Sequence, residues 1–223
     1  MATTWSVIND KLTRMLDDVA TGTMDFDTEL RIDAWNWAQR QFVSHTPRQR
    51  KTTLKVESDN RTAILPEDFY EIARLYDPND NYWWHLQSYS PTGTWDTDWD
   101  TKSYTVWGNT LYLNKDVDDD DEFELWYYAY WPDVEYVTEG GSVVITSDKI
   151  IVPAWAEAPL VILTCAFCLQ PKAIESAKNR EFNIRVDSGR PTDNARAQEA
   201  WDLWRWYEIL LSTHPPLPRG GQP

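Results

Sequence analysis

The chain has 223 residues, with 36 acidic side chains against 21 basic ones, and so carries a formal net charge of −15. That balance excludes the usual non-specific duplex binder, which needs a basic face to neutralise phosphates. A hydrophobic content of 42% excludes wholesale disorder, and the anomaly is aromatic: 14 Trp and 11 Tyr against 6 Phe.

From Trp5 onward, Ile8, Leu12, Met15, Leu16 and Val19 recur at three- and four-residue steps, which predicts a first helix ended by Gly22. Asp27 is the expected N-cap of a second helix, with Glu29 in its first turn. Its core face is expected to carry Leu30, Ala34, Trp37, Ala38 and Gln41, and Pro47 lies beyond its end.

From Thr52 the pattern changes to strands. Thr53–Glu57 alternates, Asp59-Asn60 turns the chain into Thr62–Leu65, and Tyr104–Trp107, Gly108-Asn109 and Thr110–Leu113 read as a two-residue hairpin. Phe123–Tyr128 and Val143–Ile145 are further strands. Helix returns after Pro153, apolar on all sides from Trp155 to Leu169, with Pro159 expected to kink it or shift its start. A last helix is predicted over Thr192–Ser212, with Ala197, Trp201, Trp204, Glu208 and Leu211 at core spacing. Residues 213–223 cannot continue it.

The expected fold is α+β: a small four-helix bundle of two N-terminal and two C-terminal helices, an inserted antiparallel β domain, and an extended C-terminal tail. The corresponding boundaries are 1–47 with 148–212 for the bundle, 48–147 for the insertion, and 213–223 for a flexible, Pro-rich tail.

Few residues form a catalytic pattern. Cys165 and Cys168 make a C-x-x-C, but the surrounding Ala166, Phe167 and Leu169 and the distant histidines point to buried, inert thiols. Asp96, Asp98 and Asp100 copy the start of a calcium loop, yet Thr101 stands where glycine is needed and Trp107 where a bidentate Glu is needed. No phosphate-cradling or nucleophile motif occurs, so neither an enzyme, a cofactor nor a metal is expected. The acidity is concentrated: Asp116, Asp118, Asp119, Asp120, Asp121 and Glu122 put six carboxylates into seven positions. Trp83, Trp84, Trp95, Trp99 and Trp107 offer an alternative reading, a glycan-binding module with a Trp-rich β face.

No run of about 18 apolar residues is evident, so no membrane contact is expected. The opening residues lack the basic-then-apolar pattern of a secretory leader. With only two cysteines, synthesis in a reducing cytoplasm is expected.

The ordered motifs resemble the head-to-tail adaptor (connector) proteins of tailed bacteriophages. Asp27–Leu30 followed by Ala34–Phe42 is similar to that family's second helix, and Leu65-Pro66-Glu67-Asp68-Phe69 to its L-P-x-D-F motif, which leads into a strand near Ile72–Tyr76. Trp107–Leu113 resembles its hairpin, Tyr128-Ala129-Tyr130-Trp131-Pro132 its strand exit, and Pro153-Ala154-Trp155 the start of its third helix. The resemblance covers roughly residues 5 to 212 and implies a structural virion protein at the head–tail interface of a phage, made in the host bacterial cytoplasm. It implies a self-assembled ring of about twelve copies that extends the portal channel, joining the portal ring to the next tail or stopper ring protein. DNA is expected to pass through without specific binding during packaging and ejection, eased by an acidic loop (Asp116, Asp118–Asp121 and Glu122) that faces the channel. The extended segment Pro215, Pro216, Leu217, Pro218 and Arg219 is the expected portal-docking arm.

Overall fold

The computed structural model describes residues 3–16, 26–56, 61–86, 101–118, 121–147, 149–186, 195–214 and 216. In chain order the elements are β1 (Thr3–Thr4), α1 (Trp5–Met15), α2 (Thr28–Phe42), β2 (Arg48–Lys55), β3 (Thr62–Ile64), β4 (Phe69–Asp77) and β5 (Tyr82–Leu86). There follow β6 (Ser103–Trp107), β7 (Thr110–Leu113), β8 (Glu122–Ala129), β9 (Glu135–Glu139), β10 (Ser142–Ser147) and β11 (Lys149–Ile150). A 3-10 turn (Ala154–Ala156) precedes α3 (Glu157–Val186), and α4 is Ala195–Ser212. The chain divides into two compact units, Met1–Thr46 with Trp131–Pro216, and Pro47–Tyr130.

In the first unit α3 is the spine, with α1, α2 and α4 each packed on it. Trp5, Ile8 and Leu12 of α1, Ile32, Trp35 and Phe42 of α2, Leu160, Leu163 and Cys165 of α3, and Tyr207 of α4 form one core. Trp5 and Trp35 meet edge-to-face with centroids 6.4 Å apart, a geometry that adds about 0.5–1.5 kcal/mol beyond area burial. The expected cap holds: the Leu30 N–H donates to the Asp27 carboxylate at 2.7 Å. Pro159 lies in the first turn of α3, where its missing N–H has no intrahelical partner to lose, so it marks the start of the helix. The interior proline is Pro171.

The segment leaving Ala129 is laced to α2. Asn36 Nδ2 donates to the Val134 carbonyl at 3.0 Å, and the Val134 N–H returns a bond to Asn36 Oδ1 at 2.9 Å. Arg40 pairs with Asp133 at 2.7 Å, and Trp131 Nε1 donates to the Thr46 carbonyl at 2.8 Å. This segment continues into a hairpin, β9 with β10, turned by Gly140 and Gly141 at φ +59° and +82°, backbone that glycine adopts without penalty.

In the second unit seven strands follow the order β2-β8-β4-β5-β6-β7-β3. All neighbouring pairs are antiparallel except β5 with β6, which run parallel. The sheet curls so that its end strands β2 and β3 approach each other, around a core that includes Leu75, Trp84, Tyr104, Leu111, Phe123 and Leu125. The Gly108-Asn109 hairpin forms as expected, with Gly108 at φ +61°.

The four-helix bundle with an inserted antiparallel β domain is therefore not the architecture. The helices radiate from α3, and among the described residues β1, β9, β10 and β11 belong to the same unit as the helices. The larger sheet is mixed, because β5 is a strand that the sequence reading did not count, and a long connection brings β6 beside it in parallel. Within α2 the inward face also differs. Trp35 and Ile32 are buried, whereas Trp37 is 58% exposed. Finally, Ala154–Pro171 is long and apolar enough to cross a bilayer, with a mean hydropathy of 1.3. Glu157, Thr164 and Gln170 break the run in sequence, and over half of it is buried as the core helix of this unit.

Candidate interaction surfaces

The acidic loop before β8 is more tightly tied than its sequence implies. Asp116 accepts from Arg61 Nε at 2.6 Å, and Glu122 faces Lys55 Nζ at 3.8 Å. Asp121 is the organiser: one carboxylate oxygen accepts the Asp118 N–H at 3.1 Å, and the other accepts Asn79 Nδ2 at 2.7 Å. The Asp121 N–H donates in turn to the Asp118 carbonyl at 3.2 Å. Asp119 and Asp120 lie outside the described residues. Cations more than 50 residues away in sequence thus neutralise the two ends of the run. Asp118 and Asp121 stand between them.

Beyond β4, Asp77 Oδ1 accepts the N–H groups of Asn79 and Asp80, at 3.0 and 3.2 Å. Lys102 bridges Asp77 and Asp80 while lying over the rings of Tyr82 and Trp84. Burial pulls the Lys102 ammonium down, but the two carboxylates outweigh it and its pKa is raised.

Asp68, of the L-P-x-D-F motif, has a local structural use. Its carboxylate takes Arg50 Nη1 at 2.5 Å and the Tyr127 hydroxyl at 2.9 Å, and its carbonyl accepts the Tyr130 N–H at 2.8 Å. Burial, then the Asp68 contact, push the Tyr127 phenol up.

The Trp-rich β face does not assemble as expected. Trp84 is 2% exposed and packs edge-on against Phe123 at 5.6 Å. Trp83 is half-exposed against Tyr76, with the Arg74 guanidinium 5.7 Å from its ring, and Trp107 is exposed beside the hairpin turn. Trp95 and Trp99 lie outside the described residues. The sequence reading missed Trp126, which stands opposite Lys51 and Arg74 in the strand register and, with Gln49, Arg50, Trp83 and Tyr128, lines a groove of about 450 Å³. The physical reason is alternation: of two adjacent tryptophans in a strand, only one can face the solvent.

Cys165 and Cys168 are both buried, and burial pushes the Cys165 thiol up to about 12, leaving it un-ionised at neutral pH. Among the described residues no group of three or more His, Cys, Asp or Glu side chains is placed to hold a metal ion. Residues 96, 98 and 100 fall outside them.

The root of the C-terminal tail is a defined structure. His214 stacks on Trp155, and His45 meets the same indole edge-on with centroids 6.2 Å apart. Pro216 beyond it is exposed, while Pro215, Leu217, Pro218 and Arg219 lie outside the described residues.

A family model described as SU10 adaptor protein matches residues 3–162. The matched span takes in α1, α2, every strand of the described residues and the start of α3, and the chain belongs to this phage head–tail adaptor family. Its role is that of a structural virion component at the head–tail junction of a phage. No curated protein matches the chain.

Proposed function

We propose that this adaptor assembles as a ring of about twelve copies beneath the portal, extending its channel and presenting a platform for the next tail or stopper ring. Family membership over residues 3–162 is the observation that carries this reading. The segment Pro215–Arg219 is the portal-docking arm. It follows an α4 end anchored on Trp155, so it leaves the helical unit from a set point, and proline lowers the ordering entropy lost on docking. The run Asp116–Glu122 faces the passing DNA. With a chain charge of −15, a ring of such loops repels phosphate and lets the duplex slide during packaging and ejection. The chain is made in the host cytoplasm and joins the head without catalysing a reaction.

Electron microscopy of the purified protein mixed with its portal tests the reading. Rings coaxial with the portal are expected. Portals that remain bare at saturating protein would overturn it.

A further inference from the structure

Helix α4 carries large apolar side chains on its outward side as well as on its buried one. Ala200 and Tyr207 are buried and Leu203, Trp204 and Leu211 pack on the core, yet Trp201 and Trp206 are each 61% exposed and Ile209 is 57% exposed on the outward side. Large apolar side chains exposed together mark a surface that a partner covers, and tryptophan is among the residues most enriched at the energetic centres of interfaces. Asp202, Trp206 and Ile209 follow one another at helical steps of four and three, forming one ridge with a carboxylate at its head.

The same unit carries a surface of complementary shape and sign. Between α1 and the start of α3 lies a notch of about 500 Å³ lined by Met15, Ala154, Ala158, Val161 and Ile162, with Lys11, Arg14 and Glu157 beside them. The alanines at one-turn spacing leave room for a large side chain, and the volume falls in the range that takes an indole and an aliphatic group together. Glu157 already engages Lys11, so Arg14 is the cation that meets Asp202.

We infer that neighbouring copies interlock here: the Trp206–Ile209 ridge of one copy enters the α1/α3 notch of the next, with Asp202 against Arg14. The inference rests on the ring reading, and names the surfaces by which the ring would close. Ridge and notch are different surfaces, so the contact is head-to-tail and repeats from copy to copy instead of closing as a pair. Two large side chains and a carboxylate provide less than the ~800 Å² per partner of a stable complex. Free copies therefore associate weakly, and the contact holds once a portal gathers them. Most of α3 and all of α4 lie beyond the family match.

Disulfide trapping tests it with the full-length chain. Ala158→Cys and Trp206→Cys alter exposed positions, and the native thiols of Cys165 and Cys168 are buried and silent. Mixing the two single variants under mild oxidation should give cross-linked pairs, and the double variant should give a ladder, both enriched when portal rings are present. Self-dimerisation of Trp206→Cys alone at equal yield would overturn the interlock, as would monomers in every mixture, free and on portals. A second measurement needs no cysteine. Asp202→Arg or Arg14→Glu should each weaken association about tenfold by sedimentation, and the two together should restore it; a double variant no better than either single one would also overturn the pairing. Images of the same samples separate the two claims. Rings on portals without cross-links would refute the interlock and leave the adaptor reading standing, whereas a ladder with bare portals would do the reverse.

Discussion

The imidazole of His214 lies flat on the indole of Trp155, with ring centroids 4.3 Å apart and planes within 5° of parallel. His45, in the turn after α2, packs on the other aromatic neighbours of this group, Phe42 and Trp155, and its Nδ1 lies 2.9 Å from the Thr46 hydroxyl. Three chain segments far apart in sequence thus meet at the point where the C-terminal tail departs.

This clasp should be sensitive to acid. The His45 pKa is lowered, first by burial and also by the charge that His214 would place beside it, while bonds to the backbone carbonyls of His214 and Leu211 oppose the shift. A histidine with a folded pKa below its unfolded value binds a proton more readily when unfolded. Its contribution is complete above about 6.5 and declines as pH falls toward the folded value. Melting temperature should therefore drop between pH 7.5 and 5.5, and His45→Gln should flatten that dependence. An unchanged slope in the variant would remove His45 as the cause.

The stacking also decides where the tail can be cut without harm. Removing residues 217–223 leaves His214 on Trp155 and should move the melting temperature by no more than about a degree or two. Removing 213–223 takes away the stacked ring and should cost about 1 kcal/mol more. Both truncations should weaken portal binding at least about tenfold. Attachment of the shorter-tailed protein at full affinity would show that docking depends on the helical unit.

Asp68 should be a stability residue and not a contact for a partner. Asp68→Ala removes the acceptor of both Arg50 and the Tyr127 hydroxyl, and because the ion pair is partly exposed the expected cost is only about 1–2 kcal/mol. Asp68→Asn keeps an oxygen for Tyr127 and should recover about half of it. Urea unfolding measures both, and equal losses for the two variants would assign the effect to the charge alone.

What could be read from the sequence was local. The Asp27 cap, the Gly108-Asn109 turn and the buried face Trp5, Ile8 and Leu12 of α1 each depend on residues within a few positions of one another, and all three form, although Met15, expected on the same face, is exposed. Nonlocal choices could not be read in the same way. In α2 the stripe Ile32, Trp35, Ala38 and Phe42 competes with the one through Leu30, Ala34 and Trp37, and the core that selects between them comes from α1 and α3. In α4 large apolar residues lie on exposed as well as buried positions, so periodicity could not pick the buried face, and Trp201 falls outside. Strands β5 and β9 carry exposed polar and aromatic residues and become strands through their neighbours, β4 and β6 for β5 and β10 for β9. The acidic loop looked like unpaired charge because Arg61 and Asn79 are 55 and 42 residues from the carboxylates they meet.

Arg31 was equally hidden, an arginine of α2 that is fully inside the unit. Its guanidinium Nη1 donates to Asn9 Oδ1 at 3.1 Å and to the Thr13 hydroxyl at 2.7 Å, both on α1. The Thr13 hydroxyl passes its own proton to the Asn9 carbonyl at 2.9 Å, so one cation orders two side chains a helical turn apart. A buried charge is costly unless bonded, and removing it here takes away the donor of the half-buried Asn9 and Thr13 side chains. Arg31→Ala should therefore destabilise the protein by about 3 kcal/mol, through lost charged hydrogen bonds and the space left beside Cys165. Arg31→Met keeps most of the volume and should recover about a third to a half of that loss, since Thr13 can still donate within its own helix. Arg31→Lys, whose ammonium cannot hold the same fork, should fall between Met and the native arginine. Denaturant unfolding of the three variants measures the order, and an alanine variant within about 0.5 kcal/mol of the native chain would show that the α1–α2 contact is held by Trp5, Ile8 and Trp35 without it.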